Sequence, residues 1–121
     1  MTRVSDLIID FIYKLGVDTI FSVTGGGAMF LNDSAASHPK MKVIYNHHEQ
    51  ACAMGAVGYA KLRNNYASAI FTTGCGATNA ITGLLDAWQD NVVCFFVSSL
   101  CVCVLVLRKS DRISENFSLC L

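Results

Sequence analysis

The sequence predicts an α/β fold in which helices and strands alternate along the chain and build a parallel sheet with helices on both faces. Three observations carry this. Apolar residues switch between three- and four-residue spacing and short β-branched or aromatic runs, the connections between these runs are short, and glycine clusters stand where strand character gives way to helical character. A chain of 121 residues is long enough for one domain, and it can bury roughly two-thirds of its unfolded surface.

The elements follow in order. Val4, Leu7, Ile8, Phe11, Ile12 and Leu15 form one apolar helix face, and Gly16 ends that helix. Residues 19–23 are β-branched and aromatic, which predicts a strand, and they lead into Thr24, Gly25, Gly26, Gly27 and Ala28, where glycine lets a ligand approach the backbone. A second helix is expected over 29–36. Pro39 breaks the chain before a second strand at 42–45, and a third helix opens at Glu49 and runs to about residue 62. That helix carries Ala51, Cys52, Ala53, Gly55, Ala56, Gly58 and Ala60, small side chains that let another backbone or a flat ring come close. Residues 67–72 predict a third strand, 73–79 a turn, 80–88 a fourth helix, and an apolar strand begins at 92. In such sheets ligands bind beyond the carboxyl ends of the strands, which places the triple-glycine turn, Glu49 and the Gly74-Cys75-Gly76 turn on one rim.

Composition excludes several classes. Nine basic and nine acidic residues leave no basic face for nucleic acid and no acidic tail, while 53% hydrophobic content points toward a buried interface. Cys52, Cys75, Cys94, Cys101, Cys103 and Cys120 contain no zinc spacing, and no secretory leader pattern opens the chain, so reduced thiols and a cytoplasmic location are expected. The apolar run 92–107 would reach only about 24 Å as a helix, short of a ~30 Å hydrocarbon core, so a buried strand continuing into an apolar tail is preferred over a membrane anchor.

Glu49 is the only carboxylate between Asp33 and Asp86, and it leads a helix that bears no other acid. That position suits proton chemistry. Gly25-Gly26-Gly27 does not complete a dinucleotide fingerprint, because Phe30 stands where the third glycine is needed, and no phosphate-binding lysine loop occurs. His47, His48 and Glu49 are adjacent and point in different directions on a helix, with no evident third ligand, so no metal site is expected from them.

Four stretches together carry a family resemblance: Gly16-Val17-Asp18-Thr19-Ile20-Phe21 leading to Gly25-Gly26-Gly27-Ala28; His48-Glu49-Gln50-Ala51; Gly58-Tyr59-Ala60; and Thr72 through Asn79. In order and spacing they resemble the amino-terminal, pyrimidine-binding domain of thiamine diphosphate-dependent enzymes, most closely the acetolactate synthase-like members. The resemblance covers residues 1–98 as a partial domain and leaves 99–121 as a divergent apolar tail. It implies that Glu49 hydrogen-bonds a ring nitrogen of the cofactor's aminopyrimidine and shares the proton that activates the cofactor toward a 2-oxo acid. It further implies that Gly25, Gly26, Thr73, Cys75 and Asn79 surround the pyrimidine, with Gly27 and Ala28 on the substrate side.

The departures bear on activity. Cys75 stands where the family usually has proline, Val57 replaces a common acid, and the glycine and glutamine that usually follow the strand after 92 are missing. Magnesium and the diphosphate belong in this family to a second domain, on another chain or on a full-length relative. The chain is therefore expected to hold half of a thiamine diphosphate site and to be inactive alone. Two function classes follow: a subunit that supplies Glu49 to a partner, with a homodimer as one form of association, or a non-catalytic fragment that only associates with a full-length relative. An unrelated α/β binding module is the third reading, and it requires the four ordered matches to be coincidence.

Overall fold

A computed structural model describes residues 2–98 together with the backbone of 105–106. In chain order the elements are α1 (Val4–Lys14), β1 (Thr19–Ser22), a 3₁₀ turn (Gly26–Ala28), α2 (Met29–Ser37), β2 (Lys42–Tyr45), α3 (Glu49–Arg63), β3 (Ala67–Phe71), α4 (Cys75–Asn79), α5 (Ile81–Gln89), β4 (Cys94–Ser98) and β5 (Leu105–Val106). The sheet order is β2-β1-β3-β4-β5. The first four strands pair in parallel, Phe21 standing opposite both Ile44 and Ala69, and Ala69 opposite Phe96.

Helices cover both faces because strand residues alternate between two cores. Ile20, Ile70, Phe95 and Val97 pack with Ile9 and Ile12 of α1 and with Leu31 and Ala35 of α2. Ala67, Ala69, Phe71, Cys94 and Phe96 pack on the other face against Cys52, Ala53, Ala56 and Val57 of α3 and Ala87 of α5. Full burial of a side chain such as Ile20 or Ile70 contributes roughly 1.5–3 kcal/mol. Alanine dominates the second core, which draws α3 close to the sheet.

Local chemistry sets the element ends. The Asp6 carboxylate accepts the Arg3 backbone N–H at 3.0 Å and opens α1, and Gly16, with φ +95°, closes it. Asn64 in the left-handed region, with φ 50°, closes α3.

The structure departs from the sequence expectations at two places. Residues 75–79, expected as turn, form the short helix α4, which begins after Gly74 at φ +64°. The Thr78 hydroxyl bonds Cys75 O at 2.8 Å, and contacts of Gly76 and Asn79 with neighbouring elements hold the turn of helix that glycine content disfavours. The second departure is β5, which pairs antiparallel to β4, Phe95 opposite Val106, so the sheet is parallel through four strands and mixed at its end. The rest of the tail 99–121, with Cys101, Cys103 and Cys120 and most of the apolar stretch beyond 98, lies outside the described residues.

Candidate functional site

Parallel pairing of β1, β2 and β3 puts their carboxyl ends, and the three segments that follow them, on one edge of the sheet. The chain leaves β1 for α2 on one face and leaves β3 for α4 and α5 on the other. β1 and β3 are neighbours, so a crevice opens between their ends, the arrangement in which open α/β sheets bind ligands.

Glu49 is the first residue of α3 at this crevice and is 9% exposed. His48 precedes it in extended conformation, and its Nδ1 accepts the Gln50 N–H at 3.1 Å, which caps the helix and fixes the backbone on both sides of the acid. Asn79, at the end of α4, donates from Nδ2 to Glu49 Oε2 at 3.1 Å. Oε1 faces Gly76: a Cβ placed on that glycine would stand 2.9 Å from it and 2.5 Å from Thr72 Cγ2. A side chain at 76 would therefore displace the carboxylate or the threonine.

Gly25 faces the same threonine from the β1 side, where a Cβ would meet Thr72 Oγ1 at 2.5 Å. Behind it, Asn32 of α2 holds the end of β1, accepting the Ser22 hydroxyl at 2.6 Å and donating to Val23 O at 3.3 Å. An open cleft of roughly 270 Å³ lies here, lined by Thr24, Gly25, Gly26, Met29 and Asn32.

The sequence-derived residues thus fall into groups. Glu49 and Asn79 are joined directly, and Gly25 reaches the Gly76 backbone through Thr72. Thr73 is half-buried after β3, and Cys75 is exposed at the start of α4. Gly26 and Gly27 are exposed on the 3₁₀ turn, whereas the Ala28 side chain is fully buried in the α1–α2 core and only its backbone faces the turn. Thr72 and Asn32 take part in the geometry without having been assigned a role from sequence, and Gly76 was placed on the rim only as part of the Gly74-Cys75-Gly76 turn. Gly76 carried a readable signal, a second glycine two residues after Gly74. Asn32, one polar residue among Leu31, Ser34 and Ala35 on the buried side of a short helix, carried only a weak one.

Electrostatics near the acid are set by burial. Burial raises the Cys52 thiol above its ordinary value, a hydrogen bond from Asn46 opposes this, and the charge of Glu49 adds to the rise. His47 and His48 are exposed, and among the described residues no three His, Cys, Asp or Glu side chains form a cluster that could hold a metal ion.

Comparison with known proteins gives a consistent match. The family model for the thiamine pyrophosphate enzyme N-terminal TPP binding domain fits residues 2–101. The acetolactate synthase large subunit of Lactococcus lactis is 37% identical over 91 residues, 75% of this chain and 16% of that protein. The large subunit from Haemophilus influenzae is 31% identical over 111 residues, 92% of this chain and 19% of that protein. The chloroplastic acetolactate synthase of Arabidopsis thaliana is 32% identical over 88 residues, 73% of this chain and 13% of that protein. The chain spans less than a fifth of the length of these relatives.

Proposed function

The chain belongs to the thiamine pyrophosphate enzyme family through its N-terminal TPP binding domain, and from that premise we propose that its crevice is the aminopyrimidine half of a thiamine diphosphate site in an acetolactate synthase-like 2-oxo acid carboligase or decarboxylase. The observation that carries the proposal is Glu49, a buried carboxylate held at one oxygen by Asn79 while its other oxygen faces a glycine. Gly25 and Gly76 let their backbones close on Thr72 and Glu49, Gly26, where a Cβ would meet nothing within 4 Å, leaves open space for a flat ring, and the Glu49 carboxyl group supplies the proton that an aminopyrimidine ring nitrogen accepts. The residues fit the group.

When bound, thiamine diphosphate supplies a nucleophilic carbon able to add to the carbonyl of a 2-oxo acid. Glu49 would donate and share a proton with a pyrimidine ring nitrogen, and Asn79 keeps that carboxyl group from rotating away. Gly25, Gly26, Thr73 and Cys75 form the walls around the ring. The backbone at Gly27 and Ala28 borders the substrate side, with the Ala28 methyl group buried as a brace. Magnesium and the diphosphate would be held by a second domain, and the 121 residues alone would not turn over. A cytoplasmic location is part of this proposal, on the cysteine usage of the sequence. No described helix is long and apolar enough to cross a membrane.

A second reading, a non-catalytic fragment that only associates with a full-length relative, draws on the outer faces of α3 and α5. Met54 and Leu62 on α3 and Ile81, Leu85 and Trp88 on α5 are exposed apolar residues that a partner surface would cover, and a second copy of the chain is one such partner. One experiment separates the readings. The chain is mixed with a diphosphate-binding domain from an acetolactate synthase, thiamine diphosphate and magnesium, and pyruvate consumption is followed. Turnover that appears only in the mixture, and is lost with Glu49→Gln, supports the half-site. Association without turnover supports the fragment, and turnover by the isolated chain overturns the half-site reading.

A further inference from the structure

We infer that Thr72 is a positioning residue of this crevice: its two side-chain branches act as a spacer that sets the separation of the Gly25 turn from the Gly76 backbone, and thereby the seat of Glu49 and the width of the slot for a ring. The inference rests on the pyrimidine-site reading for the identity of the ring, and on geometry alone for the spacer.

Two glycines from different turns abut this one side chain. A Cβ at Gly25 would lie 2.5 Å from Thr72 Oγ1 and 2.6 Å from its Cβ, and a Cβ at Gly76 would lie 2.5 Å from Thr72 Cγ2. The hydroxyl therefore faces the β1 wall, while the Cγ2 methyl group faces the α4 wall and also lies 3.2 Å from where a Gly25 Cβ would stand. Both approaches are closer than side chains tolerate, so each wall rests against the threonine. The spacer is itself anchored: Thr72 directly follows β3, the strand between β1 and β4, and its carbonyl accepts the Ser98 hydroxyl at the end of β4 at 3.2 Å. A β-branched side chain adds stiffness, because branching at Cβ restricts χ1.

Position passes from the spacer to the acid through contacts already described. Gly76 rests on Thr72 Cγ2 and faces Glu49 Oε1, and three residues further along α4 Asn79 holds Oε2. Removing the Cγ2 methyl group lets the start of α4 settle toward β3, which shifts both walls of the carboxylate together. Exchanging the hydroxyl for a methyl group preserves both branches and leaves the carboxylate where it is.

The test uses the isotopically labelled 121-residue chain and two readouts. The first is the Asn79 side-chain amide resonance without ligand, which reports the bond to Glu49. The second is titration with 4-amino-5-hydroxymethyl-2-methylpyrimidine, the isolated ring portion of the cofactor. Thr72→Val is expected to leave both unchanged. Thr72→Ser is expected to move the Asn79 resonance and weaken pyrimidine binding about fivefold, since small misplacements of a positioned group are costly. Thr72→Ala, lacking both branches, shifts further in the same direction. An unmoved Asn79 resonance in Thr72→Ser and Thr72→Ala overturns the spacer, and so does a Thr72→Val that behaves like Thr72→Ser, because the hydroxyl would then be the active group. If the unsubstituted chain binds no pyrimidine while Thr72→Ser alone still moves the resonance, the spacer stands and the cofactor reading fails.

Discussion

Asn79 donates its side-chain amide to Glu49 Oε2 across 3.1 Å, a bond that ties the last residue of α4 to the first residue of α3. It links the segments that follow β2 and β3, and so fixes the acid relative to the crevice from outside its own helix. Asn79 lies at the surface, where water can replace part of the bond, so Asn79→Ala is expected to cost about 1 kcal/mol, less than is usual for a bond to a carboxylate. Asn79→Asp places like charge beside Glu49 and costs more at pH 7. Denaturant unfolding checks both. Like charge raises the introduced carboxyl above its ordinary value in the folded chain, so the gap between the two variants should narrow as pH falls and close by the ordinary carboxylate value near 4.

Glu49→Gln retains the size of the side chain and an oxygen that can still accept from Asn79, so the fold should keep its stability to within about 1 kcal/mol. The amide cannot share a proton with a ring nitrogen as a carboxylate does. In the reconstituted mixture with a diphosphate-binding domain, turnover should fall by roughly 10²- to 10⁴-fold, the range for losing a positioned acid–base group. Wild-type rates from this variant would remove Glu49 from the proton-handling role.

Gly83 and Gly58 predict opposite responses to the same substitution. A Cβ at Gly83 would stand 2.4 Å from Ala53 Cβ and 2.9 Å from its carbonyl carbon, so this glycine sets how closely α5 approaches α3. Gly83→Ala should destabilise the chain by about 1–3 kcal/mol through overpacking. At Gly58, inside α3, a Cβ meets nothing within 4 Å, and alanine should stabilise by roughly 0.5–1 kcal/mol through helix propensity. Thermal unfolding of the two variants side by side checks the pair. A stabilised Gly83→Ala would contradict the close helix contact.

Element order was legible in the sequence because period carried it. Val4, Ile8 and Ile12 step as a helix, and residues 67–72, ahead of Thr73 and Gly74, read as a strand that the structure ends one residue earlier. The rim was legible for the same reason, since parallel pairing places the carboxyl ends of β1, β2, β3 and β4 on one edge. What the sequence did not reveal was decided by contacts between elements. Cys75–Asn79 became a helix although its glycine-dense text resembles a turn, because Gly76 packs on Thr72 and Asn79 reaches Glu49. Thr72 looked like an ordinary strand end, and only the simultaneous approach of Gly25 and Gly76 reveals its place. The antiparallel pairing of β5 follows from no local pattern in the apolar text after residue 92.

The thiols should react in an order set by burial. Cys94 is fully buried, and burial pushes its thiol up to about 12, while Cys52 is also fully buried and raised by the same cause. Cys75 is exposed at the rim. Brief alkylation of the native chain at pH 8 should label Cys75 and spare Cys52 and Cys94 until denaturant is added, because the thiolate is the reacting form and access is required. Peptide mass spectrometry reads the sites. Rapid native labelling of Cys94 would show that the β4 core opens.

Acid sensitivity should carry a contribution from the opposite edge of the sheet. The Arg63 guanidinium beside Asp18 holds its carboxyl below the usual carboxylate range; hydrogen bonds from Thr19 and Tyr59 act in the same direction, and burial opposes them. A carboxyl depressed in the folded state binds fewer protons than in the unfolded chain. Its contribution is therefore fully present above the unfolded value near 4 and is lost as pH falls through the lower folded value. Both side chains are more than a third exposed, 41% for Arg63 and 44% for Asp18, so solvent screens the pair and the effect is small. Asp18→Asn should lower the unfolding midpoint slightly at pH 7, and its deficit relative to the unsubstituted chain should shrink below pH 4 and in about 1 M salt, where the screening length is about 3 Å. A deficit that stays constant from pH 7 to pH 2 would mean that the Asp18 hydrogen bonds act through packing alone, with no charge contribution from Arg63.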